Sequence, residues 1–246
     1  MDNLLENNLN FKYSNLYDEI SYFQAIENLK DDNCEDFIKI FSMINLEKIE
    51  SFEDFKIFIN HLTNHSTPLR EMCALKLEDF SIKYEDYFLD EFSKNKILNA
   101  IIDINPNVSR VMCLLLEQNK KLNKELEEKI IENILTLLNE IQNLEEDNKQ
   151  NFTDITKNRK NHAKNKKIFS LYWLLEALGI CLSEKNNSKV LKILEKTINF
   201  CDYTIREKTA KILAKYPSIS KKLLQIAKSD ENFYVKNQVY GKIVTD

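Results

Sequence analysis

Two histidines stand at a spacing that zinc sites use. His61 and His65 are four residues apart, which on a continuous helix would place both rings on one face. No glutamate follows His61 in the pattern of metal-dependent hydrolases, and Pro68 comes so soon afterwards that we expect the helix to end before both rings share it. The third histidine, His162, has no partner evident in the sequence. We therefore predict no metal site.

A second candidate is a basic stretch that could bind an anionic partner. No acidic residue occurs between Lys157 and Lys167, and the stretch follows the acidic run Glu145-Glu146-Asp147. The candidate binding residues are Lys157, Arg159, Lys160, Lys164, Lys166 and Lys167. Mobile basic side chains can follow a phosphate backbone and release its counterions, although no aromatic residue lies among them to stack on bases.

We predict that residues 145–166 form a flexible, charged insertion loop. A loop of this length inside a compact fold is usually either functional or disordered. Two interpretations stay open: a solvated linker whose lysines flank a helix end, or an arm that binds nucleic acid or an acidic protein.

Catalytic motifs are absent from the sequence. It holds no GxSxG elbow and no phosphate-binding loop, and Gly179 and Gly241 are its two glycines. The formal net charge of −4 argues against a surface that grips phosphate backbones throughout. Five cysteines without CxxC spacing are typical of reduced, mostly buried thiols rather than of a disulfide framework. We expect neither an enzyme nor a bound cofactor.

The elements that carry these residues are predicted to be helices. With two glycines and three prolines in 246 residues, the tight hairpins of antiparallel sheets have almost no candidate positions. Apolar residues instead recur at spacings of three and four, as from Leu122 to Leu144. The predicted helices are 15–29, 35–46, 52–62, 67–82, 86–103, 107–120, 124–144, 167–183, 189–199, 204–215, 219–228 and 231–244.

Four of these helices share an internal pattern. Each block starts with an apolar residue that is directly followed by a polar or basic one. Two further positions align between the blocks, five and eight residues after the first, and the eighth is apolar in all four. The four blocks begin at Leu69, Val108, Ile205 and Val235 and reach Ala74, Cys113, Ala210 and Tyr240, then Leu77, Leu116, Leu213 and Ile243. Each block follows a polar, turn-forming run. A helix with one apolar stripe must stack on its neighbours to bury it.

This pattern resembles the second helix of a HEAT repeat, in which a pair such as Ile205-Arg206 opens the helix and a small residue such as Ala210 allows close packing. The resemblance implies an all-α, right-handed solenoid of about 11–12 helices in antiparallel pairs. We expect one domain over 1–246, capping helices in 1–50 and the clearest repeats in 200–246. Hydrogen bonds from Arg70 and Arg206 to neighbouring turns are expected, and a core position is expected for Trp173.

The function expected from this fold is a non-catalytic scaffold that binds a protein partner on a curved face. The alternative is a nucleic-acid-binding solenoid that uses residues 157–167, and a HEAT-like alkyl-DNA glycosylase is a third reading that the acidic charge disfavours. The apolar stretch from Ile168 to Leu182 is too short for a membrane span. We expect a cytoplasmic protein that does not associate with membranes. Tyr84, Tyr87, Phe88, Phe233 and Tyr234 are candidate contact anchors where their rings are exposed, but we expect most of them to pack in the core.

Overall fold

The computed structural model describes residues 20–147, 154–183 and 188–240, and all regular secondary structure in this part of the chain is helical. The all-α prediction is therefore confirmed. Two 3-10 helices, His61–Thr63 and Glu85–Leu89, accompany twelve α-helices. The α-helices are α1 (Tyr22–Lys30), α2 (Asp36–Asn45), α3 (Phe52–Asn60), α4 (Thr67–Phe80), α5 (Glu91–Ile101), α6 (Pro106–Gln118), α7 (Lys120–Asp147), α8 (Asp154–Cys181), α9 (Ser188–Ile198), α10 (Tyr203–Lys215), α11 (Lys221–Lys228) and α12 (Phe233–Tyr240).

Polar side chains fix where several helices begin. Ser51 accepts a hydrogen bond from the backbone N–H of Asp54 at the start of α3. Asp90 accepts from Phe92 at the start of α5. These caps satisfy amide groups that have no partner within the helix. Asp90 also divides the predicted helix 86–103 into a 3-10 turn and α5.

The chain divides into two compact units, with the boundary between Phe80 and Ser81, where the sequence analysis expected one domain. In the first unit, α1 packs on α2 and α3, and α2 packs on α4. The core of this unit includes Phe55, Phe58 and Leu77, which are fully buried. The predicted N-terminal helices 15–29 and 35–46 correspond to α1 and α2, although residues 1–19 lie outside the described part.

The second unit is built from two layers of helices. In one layer α6, α8, α10 and α12 lie side by side, each packed on the next. In the other layer α5 contacts α7, α7 contacts α9 and α9 contacts α11. Across the layers α5 pairs with α6, α7 with α8, α9 with α10 and α11 with α12. Each helix therefore packs against both a partner and a neighbour in its own layer.

The predicted loop over 145–166 is wrong for most of its length. The helix α7 continues to Asp147, and α8 begins at Asp154 rather than near residue 167. Neither glycine nor proline occurs between Pro106 and Gly179, so nothing in the sequence forces the chain out of helical geometry there. The basic residues are therefore carried by a helix.

The repeated sequence blocks share features of burial and hydrogen bonding. Their first residues, Leu69, Val108, Ile205 and Val235, are all fully buried. Arg70 donates to the carbonyl oxygens of residues six and five positions earlier, at 2.9 and 3.1 Å. Arg206 does the same in its own turn, at 3.0 and 3.1 Å. Where the second block has Ser109 in place of the basic residue, its hydroxyl donates to the carbonyl six positions earlier.

The last block departs from the others. Tyr240, which aligns with the small residues Ala74 and Ala210, is 48% exposed, whereas both alanines are fully buried. A tyrosine is too large for that position, and its ring turns to the surface. Ile243 lies outside the described residues.

Candidate functional site

The six predicted binding residues all belong to α8. Lys157, Arg159 and Lys160 are in its first turns, and their side chains lie outside the described part of the structure. Lys164 is half-buried. Lys166 is exposed, while Lys167 donates to Glu140 of α7 at 2.5 Å. The structure therefore separates the lysines: Lys167 is neutralised by a carboxylate and Lys166 faces solvent.

Lys166 and Lys167 border a groove between α5, α7 and α8, which we call the α5–α8 groove. It consists of two adjoining pockets that share Ile102, Lys166 and Ser170. The first pocket, with a volume of about 400 Å³, is also lined by Ile104, His162 and Phe169. We refer to it as the His162 pocket.

The second pocket of the groove has a volume of about 330 Å³. Its lining includes Leu98 of α5, Leu137 and Glu140 of α7, and Leu174 of α8. We refer to it as the Leu137 pocket. Polar side chains of Asn99, Asn133 and Thr136 stand at its rim, where all three are exposed.

The groove exposes apolar surface that the fold leaves uncovered. Ile104, in the turn after α5, is 68% exposed, and Ile102 is 37% exposed. Single exposed apolar residues are ordinary on protein surfaces. Here the two isoleucines line a concavity with Phe169 and the buried Leu98 and Leu174, which is the arrangement that binds apolar side chains of a ligand.

Charge is unevenly distributed along the groove. At the His162 pocket, Lys166 and His162 are both exposed, and neither forms a salt bridge with any residue in the described ranges. At the Leu137 pocket, the carboxylate of Glu140 already accepts from Lys167. Lys166 also lines the Leu137 pocket, but there Glu140 and Lys167 add one charge of each sign, so the end of the groove with His162 is the more cationic of the two.

A second polar cluster joins α8 to α10. Glu176 accepts from Lys208 and Lys211, each at 2.6 Å, and the ammonium of Lys208 lies 4.3 Å from the ring centre of Tyr172. Burial would raise the pKa of Glu176, but the hydrogen bonds from the two lysines hold that pKa below its ordinary value. Burial likewise opposes the charge on Lys208, yet its hydrogen bond to Glu176 raises the pKa of the ammonium.

These pKa directions bear on catalysis. A general acid or base works best with a pKa near the working pH, and a lysine nucleophile needs a lowered pKa. Glu176 and Lys208 are shifted the opposite way, so that each holds its charge more firmly. Together they form an ion pair that fastens two helices.

Three of the five thiols and one histidine are buried. Cys73, Cys113 and Cys181 are buried, and burial raises the pKa of Cys113 and brings that of Cys181 to about 12. His61 is buried in the first unit, where its Nε2 lies 3.0 Å from the carbonyl oxygen of Leu29. Among the residues that the structure describes, no group of three or more His, Cys, Asp or Glu side chains could hold a metal.

Aromatic side chains cluster at two places in the second unit. Trp173 is half-buried, not fully buried, and packs edge-on against Phe169 and Tyr172. Phe233 and Tyr234 are 68% and 59% exposed at the start of α12, and Tyr234 stacks on Tyr203 with ring centres 6.1 Å apart. These two rings are therefore among the aromatic side chains that do not pack in the core.

Sequence reasoning missed the groove itself. Its walls come from three helices far apart in the sequence, so that no local motif marks it. The available signal was the run Ile101-Ile102-Asp103-Ile104, in which apolar residues continue past the last helical turn into a polar connection.

Among the helices described here, none combines the length and apolar character that crossing a bilayer requires. A scan against protein-family models finds no match to the sequence, and no curated protein resembles it significantly.

Proposed function

We propose that this protein is a non-catalytic, HEAT-like scaffold of right-handed stacked helix pairs that binds a segment of a protein partner in the α5–α8 groove. The observation that carries the proposal is the groove itself: two adjoining apolar pockets with an exposed lysine and histidine at one end. Pockets of this kind receive the anchor side chains of a partner, and basic side chains at the rim select its charge.

The packing of alternate helices supports the repeat architecture. The layers α6–α8–α10–α12 and α5–α7–α9–α11 are what stacked helix pairs produce. The equivalent hydrogen bonds of Arg70 and Arg206 support a common repeat unit. The five cysteines form no disulfide, which favours a reducing compartment such as the cytoplasm.

Two features favour a protein partner over nucleic acid. A phosphate backbone offers nothing to fill apolar pockets lined by Ile102, Ile104 and Leu174. The ion pair of Lys167 with Glu140 also neutralises one of the basic groups that the nucleic-acid alternative requires. The alternative remains a prediction with its own test below.

Peptide selection tests the proposal. Random peptides displayed on phage are selected on the full-length protein and then counter-selected on the Ile104→Asp variant, which places a charge at the mouth of the His162 pocket. Because Ile104 is 68% exposed, the variant is expected to fold. We expect peptides that bind the wild type and not the variant. A selection that yields no such peptide would contradict the proposal.

Nucleic-acid binding is separated from this by a salt series. Short DNA and RNA probes are titrated with the wild type and with the Lys164→Ala/Lys166→Ala/Lys167→Ala triple variant. Electrostatic binding must weaken steeply with salt and must need these lysines. Tight binding with both properties would favour the nucleic-acid reading.

A further inference from the structure

We infer that the segment entering the α5–α8 groove is an acidic amphipathic helix, with two apolar side chains seated in the two pockets and a carboxylate beside Lys166. This inference rests on the protein-partner role proposed above and specifies the chemistry of the partner. Three observations support it: the length of the groove, the hydrogen bonding of the backbone in its walls and the distribution of charge along it.

The length of the groove fits a short helix. Along α8 the lining runs from His162 to Leu174, which at the helical rise corresponds to about 18 Å, or roughly three turns. Phe169 lines the first pocket and Leu174 the second, about 7.5 Å further along the same axis. Residues four apart on a docked helix differ by about 6 Å along its axis, so such a pair can reach both pockets.

The backbone around the groove favours a helix over an extended peptide. The main walls are α5, α7 and α8, whose backbone groups bond within each helix, and the described residues include no strand edge that could pair with a peptide. An extended segment would leave its own N–H and C=O groups without partners against Ile102 and Leu174. A helix satisfies those groups internally and presents only side chains to the groove.

The charges define which end of the helix is acidic. At the His162 pocket the exposed Lys166 and His162 face the ligand without a carboxylate partner among the described residues. At the Leu137 pocket Glu140 lies in the lining with Lys167 bound to it, and this pair gives an acidic ligand residue little attraction. The carboxylate of the partner therefore belongs beside the first pocket.

The inference is tested with designed, fluorescein-labelled peptides of about 14 residues, enough for roughly four turns. Each carries two leucines four residues apart and two glutamates at one end, with versions that place the glutamates at either end. Three variants are matched to them: lysine in place of glutamate, serine in place of leucine, and a proline at the centre. Fluorescence anisotropy measures their binding to the full-length protein.

We expect one acidic peptide to bind, and the serine and proline variants to bind at least about tenfold more weakly. The lysine variant should bind roughly fivefold more weakly than the acidic peptide. Lys166→Glu should reverse that charge preference. Lys192→Glu changes an exposed lysine of α9 away from the groove and should leave the preference for the acidic peptide unchanged.

Several results would overturn the inference: equal binding of the acidic and lysine peptides, full binding of the proline variant, or a preference indifferent to Lys166→Glu. Displacement of the peptide by an RNA oligonucleotide that binds more tightly would also reject it. Failure here is distinct from failure of the proposed function. Basic or extended peptides that emerge from the phage selection with dependence on Ile104 would leave the groove as a docking site and reject only the acidic helix.

Discussion

Arg206 holds both carboxylate oxygens of Asp230, with Nε 2.7 Å from Oδ2 and Nη2 3.2 Å from Oδ1. Its remaining donor, Nη1, bonds the carbonyl oxygens of Phe200 and Cys201. One guanidinium thus ties the turn before α10 to the turn before α12. This confirms the expected hydrogen bond from Arg206 to a neighbouring turn, and its fork geometry is one that lysine cannot reproduce.

Arg206→Lys should therefore lower the free energy of unfolding by about 1–2 kcal/mol, because a single ammonium cannot bond Asp230 twice and reach both carbonyls. Chemical denaturation measures the change. The matched control is Arg110→Lys, at an exposed position of α6, which should change it by less than about 0.5 kcal/mol. Equal effects of the two substitutions would show that the bridge between turns contributes nothing.

Gly179 allows α8 and α10 to approach closely. A Cβ at this position would lie 3.2 Å from Cγ1 of Ile212, closer than ordinary contact. In the otherwise wild-type protein, Gly179→Ala gains about 1 kcal/mol in helix propensity. The crowding of the new Cβ against Ile212 offsets that gain. In an Ile212→Ala background the crowding is removed, and Gly179→Ala should then stabilise by about 1 kcal/mol. A double-mutant cycle by thermal unfolding measures this coupling, and strict additivity would contradict it.

The Glu176 ion pair is predicted to matter more than an exposed one. Glu176→Leu leaves Lys208, whose side chain is 14% exposed, without its carboxylate, at an expected cost of about 1–3 kcal/mol. The pair of Glu140 with Lys167 is more exposed than the pair of Glu176 with Lys208, so Glu140→Leu should lower the free energy of unfolding by less than about 1 kcal/mol. Denaturant titrations of both variants give the comparison. The reverse order would mean that burial does not decide the strength of these pairs.

His61 should make the stability depend on pH. Burial lowers its pKa below 6.5 in the folded state, so the unfolded chain takes up a proton at higher pH than the folded protein does. The stabilising contribution of the neutral ring is therefore complete above about pH 6.5 and is lost as pH falls from there toward the folded pKa. His61→Gln, which keeps a donor for Leu29, should reduce the loss of stability between pH 7.5 and pH 5. An unchanged pH dependence would exclude His61 as its source.

The helices could be predicted from the sequence because their signals are local. Apolar spacing and caps such as Ser51 placed most of the elements, and the buried positions Leu69, Val108, Ile205 and Val235 follow from one repeated pattern. The helical segment 154–166 was missed because a run of lysines and asparagines carries no apolar stripe. The absence of glycine and proline permits helical geometry there.

The groove could not be predicted, because it depends on which helices become neighbours. The sequence pattern predicts Leu137 and Leu174 as ordinary core residues. That they line a pocket with Ile102 depends on how α5, α7 and α8 pack together. Two of the six predicted basic residues, Lys166 and Lys167, line the groove. Lys166 faces the groove as an anion-binding residue would, while the pairing of Lys167 with Glu140 requires a contact between residues on different helices.

The most direct test of the central claim is a titration of the groove-selected peptides against three full-length proteins: the wild type, Ile104→Asp and Ile82→Asp. Ile82 is 73% exposed and does not line the groove, so its substitution matches the change in charge and hydrophobicity. We predict that Ile104→Asp weakens binding at least about tenfold and that Ile82→Asp leaves the affinity within about twofold. Equal weakening by both variants, or by neither, would contradict a partner-binding groove between α5 and α8.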